Sequence, residues 1–284
     1  LRLRMLDGKK SKECMRCYTL EKNNLNSLRL HSNKLFAHHR DKQQATLPDG
    51  SAGDITMAYL DIRFSNICNL KCRSCGPNLS SSWHDDTVVL RPGYKNPKII
   101  NVNKSGQFWA ELEPYLKDCE EVMFAGGESL ITDEHYRILD YWLAHDMTNV
   151  RLRYTTNFTN LDYKSRDLFS MWSRFSDVCV GASLDGSYER GEYIRKGIVW
   201  DKIVDNRRRM IRDTPDTNFE ITPTVGLMNC IHLPDFHREW VELGLIKIDE
   251  IRINLLIDPQ YMSVRVLPDH LKNDARQVIE NHIV

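Results

Sequence analysis

Ser65-Asn-Ile-Cys68-Asn-Leu-Lys-Cys72-Arg-Ser-Cys75-Gly76-Pro77 directly follows a largely apolar run over residues 57–64. Three thiols therefore sit on one short loop, spaced C-x3-C-x2-C, at the end of a strand-like segment. Thiols this close can converge on a single metal site. Four ligands would close a structural zinc site, whereas three leave a coordination position open. Soft sulfur donors suit iron–sulfur chemistry, and a cluster held by three thiolates keeps one iron free for an outside ligand. Spacing alone leaves two readings: an iron–sulfur cluster, or a zinc site completed by a distant His or by Cys119, Cys179 or Cys230.

Outward from this loop, short apolar runs alternate with longer amphipathic stretches. The runs are 57–64, 121–125, 150–156, 178–184, 219–225 and 250–257; helical periodicity marks 107–116, 133–145, 164–174, 199–212 and 233–243. Strands alternating with helices predict βαβ units around a parallel sheet. Six such units curl into a barrel or part of one, with the chemistry at the C-terminal ends of the strands. The expected fold class is thus α/β, a partial (β/α)6 TIM-like barrel preceded by a small N-terminal cysteine-containing segment. The second run ends in Phe124-Ala-Gly126-Gly127-Glu128. Paired glycines there allow close approach to the backbone. Exposed carbonyls beside a carboxylate would suit a protonated amine, and an ordinary tight turn is the plainer alternative.

Composition sets the outer bounds. The chain has 284 residues, zero formal net charge, 41% hydrophobic and 27% charged side chains, which excludes a disordered chain. Charge neutrality argues against nucleic acid held mainly through its phosphates. No apolar run approaches the roughly 20 residues of a membrane span. Eight cysteines in a chain this long, bunched as C-x3-C-x2-C and C-x2-C, predict metal or cluster ligation in a reducing, cytoplasmic compartment. The opening Leu1-Arg-Leu-Arg, without an initiator Met, suggests that further residues precede it.

The cysteine triplet after strand one, followed by Gly-Gly-Glu after strand two, resembles the radical S-adenosylmethionine (SAM) superfamily over residues 54–284. The resemblance implies a four-iron four-sulfur cluster held by Cys68, Cys72 and Cys75, its free iron chelating the amino and carboxylate groups of SAM. Reductive cleavage would then give a 5′-deoxyadenosyl radical that takes a hydrogen atom from the substrate. Gly126, Gly127 and Glu128 would orient the methionine amine. Asn157 follows strand three, where relatives often have Thr-Thr-Asn-Gly and this chain has Phe158 in place of the glycine. Ser183, Asp185 and Arg195, on or after strand four, would contact ribose or carboxylate, and Val225 on strand five would meet adenine. Where many relatives place an aromatic residue before the third cysteine, this chain has Ser74.

Residues 1–53 read as a separate segment, ending in a turn-rich linker over 43–53, with one helical stretch near 18–37. Lys12-Glu-Cys14-Met-Arg-Cys17-Tyr18, with Glu21 and Ser27-Leu28-Arg29, resembles the end of a twitch or SPASM-type auxiliary domain lying N-terminal to the barrel. That resemblance implies a second iron–sulfur cluster with Cys14 and Cys17 as two ligands; a zinc knuckle shares the C-x2-C spacing. Related enzymes modify peptides or proteins, which makes a peptide the first expectation and a small molecule the second, with a reducing donor such as flavodoxin or ferredoxin. A zinc-binding cysteine protein on a barrel scaffold, and a relative that binds SAM without cleaving it, are the alternatives. The remaining features carry plainer expectations: Arg207-Arg208-Arg209 as a solvated face, the six tryptophans as packing, and Cys179 as a small buried apolar residue.

Overall fold

The computed structural model describes residues 2–53, 56–102 and 106–283. Residues 1, 54 and 284, which bound the segments drawn from the sequence, lie outside the described residues. The chain divides into two compact units, Leu1–Ala58 and Tyr59–Val284.

The first unit is built of short helices, among them Met15–Lys22 and Leu28–Leu35. The expected single helix near 18–37 is broken because Asn24 takes φ +56 and Ser27 caps a new helix, its hydroxyl accepting from Leu30 N at 3.1 Å. Ser11 and Ser27 are the only buried residues among those described in this unit. Cys14 ends a 3-10 turn and Cys17 lies one helical turn on, both half-buried. Glu21 gathers the residues downstream, accepting from Ser27 Oγ at 2.5 Å and from Arg29 at 2.5 and 3.0 Å.

In the second unit five strands form one parallel sheet in chain order: β1 (Tyr59–Ile62), β2 (Glu121–Phe124), β3 (Arg151–Thr156), β4 (Val178–Ala182) and β5 (Asn218–Ile221). The fifth apolar run does not continue as one strand, because Pro223 has no N–H to give the ladder. Beyond it Thr224–Val225 pairs in parallel with Asn254–Leu255, and a bridge joins Ile221 to Ile251, so the sixth run lies beside the end of the fifth.

The sheet has two unlike faces because strand side chains alternate. Leu60, Ile62, Val122, Phe124, Leu152, Tyr154, Val180, Phe219 and Ile221 turn to the covered side. Helices Asp133–Ala144 and Trp200–Asp213 meet them with residues at helical spacing, His135, Ile138, Leu139 and Trp142 in one and Trp200, Ile203, Val204, Arg207 and Met210 in the other. Four of the six tryptophans, Trp142, Trp172, Trp200 and Trp240, are core packing as expected. The arginine run is not wholly solvated: Arg207 is buried, donates from Nε to Leu245 O at 2.7 Å and lies 4.1 Å over the Phe219 ring. The expected helix 164–174 begins instead as a hairpin, since Lys164 and Ser165 both take positive φ, and only Leu168–Trp172 is helical. Among the described residues no helix is long and apolar enough to cross a membrane.

His135 is fully buried between the Phe124, Tyr136 and Tyr154 rings, 3.0 Å from Tyr154 Oη, and burial pushes its pKa down to about 3. The unfolded chain takes up this proton below about pH 6.5, and the native state refuses it until about 3, so stability falls as pH drops through that window. From pH 7 to pH 5 the loss from this one group is roughly 2 kcal/mol. In His135→Gln the difference between urea unfolding free energies at the two pH values is expected to shrink by that amount; an unchanged difference would remove the histidine from the acid sensitivity.

Candidate functional site

The cysteine loop is held by its own polar residues. Asn66 donates to Pro77 O at 2.8 Å and Lys98 O at 3.0 Å while accepting from Ile100 N at 2.8 Å. Three consecutive serines fasten the cysteine-bearing segment: Ser80 Oγ donates to Leu70 O at 2.6 Å, Ser81 Oγ accepts from Cys68 N at 3.3 Å, and Ser82 Oγ donates to Cys68 O at 2.7 Å. Trp83 Nε1 donates to Cys72 O at 3.0 Å, which gives that tryptophan a role beyond packing. Lys71–Cys72 also forms a short antiparallel ladder with Arg195–Lys196, setting Cys72 opposite Arg195.

All eight cysteines are free. Cys72 is buried, Cys68 and Cys75 half-buried, and burial raises all three thiols, Cys72 to about 11. Three sulfur donors on one loop are a donor set that suits an iron–sulfur cluster.

The two sequence motifs are joined backbone to backbone. Gly127 N donates to Ser65 O at 3.0 Å and Glu128 N to Ile67 O at 2.7 Å. A Cβ on Gly127 would stand 2.2 Å from Ile67 O, and Gly126 has φ +112 with Arg63 Cβ 3.2 Å from where its own Cβ would be. The close approach that glycine permits here is to the cysteine loop itself. Glu128 is fully buried and its carboxylate faces the protein: Oε1 accepts from Thr156 Oγ1 at 2.8 Å and Leu130 N at 3.2 Å, Oε2 from Asn157 N at 2.7 Å. It ties the end of β2 to the end of β3.

Asn157 passes that tie onward, with Nδ2 2.8 Å from Asn69 Oδ1 and 3.9 Å from Cys68 Sγ. Phe158 keeps the left-handed turn, at φ +59, that glycine would adopt freely. Such a bulky residue is strained there by on the order of 1–3 kcal/mol, and its ring is fully buried against Phe219, centroids 5.2 Å apart. Arg195 is buried rather than solvated. Its Nη2 donates to Asp185 Oδ1 at 3.0 Å and its Nη1 reaches Cys72 Sγ at 3.7 Å. Asp185 Oδ1 also accepts from Thr224 N at 2.7 Å, linking this pair to the final strands.

The uncovered face of the sheet lines a cavity of about 230 Å³. Ser183 opens onto it, with Thr155, Thr222, Thr224, Asn254, Glu220 and Arg252 around it. Cys179 also lines it and is half-exposed, contrary to the buried apolar role expected of it, because β4 turns its odd-numbered side chains to this face. Val225 is buried, with Leu255 as its ladder partner. Cys14 and Cys17 belong to the other unit. Sequence reasoning missed the serine triplet, Asn66, Asn69 and the cavity's threonines. Alternation along the strand runs carried a signal for the threonines; the rest act through contacts distant in sequence.

No family model matches the chain, and no curated protein matches it. Solved structures do. The structure of anSMEcpe with bound AdoMet, which is S-adenosylmethionine, is 20% identical with a TM-score of 0.51, covering 72% of this chain and 53% of that one. Streptococcus suis SuiB bound to S-adenosylmethionine is 15% identical with a TM-score of 0.53, covering 95% and 58%. SuiB bound to the precursor peptide SuiA matches equally well. This chain thus spans a little over half the length of these proteins. At such identities the likeness establishes a shared fold.

Gly127→Ala is expected to lower stability by about 1–3 kcal/mol, because the Ile67 carbonyl must move, while Gly76→Ala, with nothing within 4 Å of its added Cβ, stays within about 0.5 kcal/mol of the parent. Equal urea midpoints for the two variants would show that the turn and the loop are not coupled.

Proposed function

We propose that this chain is a radical SAM enzyme whose core is a six-unit partial barrel. The observation that carries the reading is the three-cysteine loop, fastened by the serine triplet and locked backbone to backbone to the Gly-Gly-Glu turn. The fold shared with two proteins solved with S-adenosylmethionine bound supports it. When bound, a reduced four-iron four-sulfur cluster supplies the electron that splits SAM into methionine and a 5′-deoxyadenosyl radical.

The chain's own residues do the rest. Cys68, Cys72 and Cys75 would hold the cluster as its three protein thiolates. The carbonyls of Gly126 and Gly127 accept from the amine. Glu128 acts by positioning, since its carboxylate is already saturated by protein donors. Ser183 meets the ribose or carboxylate from the cavity side, and the backbone at Val225 meets adenine. Asn157 and Arg195 approach the cluster ligands at the Cys68 and Cys72 sulfurs, and Asp185 holds Arg195.

A peptide is the substrate we favour. SuiB, which shares the fold, has been solved with a precursor peptide bound. In the N-terminal unit, Cys14 and Cys17 supply two ligands of a second cluster, and a flavodoxin or ferredoxin supplies electrons.

After anaerobic reconstitution, the protein with dithionite and SAM is expected to yield 5′-deoxyadenosine, detected by mass spectrometry. Cys72→Ala should lose both the visible cluster absorbance and this product. Product formation by Cys72→Ala would refute the assignment; bound zinc without sulfide in the parent would favour the binding-protein reading. In the full-length protein, Cys14→Ala should lower iron per chain while keeping SAM cleavage, and unchanged iron there would dismiss the second cluster.

A further inference from the structure

The buried ion pair between Asp185 and Arg195 does more than hold the fold. The Asp185 side chain is 1% exposed and that of Arg195 10%. Taking both charges out of water is costly, and replacement by apolar side chains would often serve stability as well. The pair sits where charge matters most. Arg195 stands opposite Cys72 in the short antiparallel ladder, and Arg73 N bonds to Ile194 O at 2.8 Å, which fixes the guanidinium beside the thiol. Nε and Nη2 lie 2.8 and 3.0 Å from the two Asp185 oxygens, and Nη1 is left to point at Cys72 Sγ, 3.7 Å away. A second donor, Asn157 Nδ2, lies 3.9 Å from Cys68 Sγ, but it is neutral and its stronger bond is to Asn69.

We infer that Asp185 and Arg195 form a charge couple that sets the reduction potential of the cluster through the Cys72 sulfur. The inference rests on the radical SAM reading above. Reduction adds one negative charge to the cluster, so a cation at one ligating sulfur favours the reduced state, and a carboxylate behind it moderates the effect. Hydrogen bonds and charges around ligating sulfurs are a general lever on such sites. Arg195 is a positioning residue in this role, acting on the cluster through Cys72. The two partners carry opposite signs at unequal distances from the sulfur, so their removal has opposite consequences. That separates tuning from mere structural support, which would move both variants the same way.

The test uses the whole chain with its cluster reconstituted, without SAM and at one fixed pH. The midpoint potential is read by dithionite titration followed by electron paramagnetic resonance, with iron and sulfide counted for each protein. Arg195→Gln is expected to shift the midpoint negative, Asp185→Asn to shift it positive, and Arg195→Lys to stay near the parent. Midpoints that do not move, or that move in the same direction in Arg195→Gln and Asp185→Asn at unchanged iron content, would overturn the inference. Should Arg195→Gln fail to take up iron, Asp185→Asn against Arg195→Lys decides it: a positive shift in the former alone supports the couple, and equal midpoints remove it. A parent protein that takes up no cluster would instead overturn the radical SAM reading.

Discussion

The 2.2 Å that would separate a Gly127 Cβ from the Ile67 carbonyl is the constraint from which the site follows. No side chain fits between the turn after β2 and the loop after β1, so the two backbones lock through the Gly127–Ser65 and Glu128–Ile67 hydrogen bonds. That contact fixes the cysteine loop against the sheet. Everything further along inherits its position from there: Glu128 reaches β3 through Thr156 and Asn157, and Asn157 returns to the loop at Asn69 and Cys68.

Burial of the Glu128 carboxylate and of the cysteine loop's carbonyls is tolerated because each of them is hydrogen-bonded. Glu128 has three protein donors, and the cysteine loop's carbonyls are met by Ser80, Ser82 and Trp83. An unpaired group there would cost about 1–3 kcal/mol. The network therefore orders the backbone that carries the three thiols. The loop has little regular structure beyond the two-residue ladder at Lys71–Cys72 and so draws its rigidity from side chains.

The two faces of the sheet divide the work. One is an apolar layer under helices and supplies the stability. The other carries Thr155, Ser183, Thr222, Glu220 and Arg252 around a small cavity beside the strand ends. The strand alternation that builds the core on one side lines the cavity on the other.

Much of this was legible in the linear chain. The alternation of strands and helices, the C-x3-C-x2-C loop at the end of β1 and the glycine pair at the end of β2 are local patterns, written in residues near one another. The break of the fifth run at Pro223 and the restart at Ser27 were not foreseen, although each has a local cause in the chain. What the sequence could not carry were pairings between residues far apart. That Arg195 faces Cys72, 123 residues earlier, and is buried with Asp185 depends on a two-residue ladder that no local propensity specifies. That Glu128 spends its carboxylate on β3, that Phe158 occupies a glycine's backbone angle because Phe219 receives its ring, and that Cys179 faces a cavity are equally matters of tertiary contact. Residue types and their spacing determined which chemistry this chain is able to support. Only the packing of distant segments decided which charges stand beside which sulfurs, because burial and Coulomb interaction depend on distance in space and not on distance along the chain.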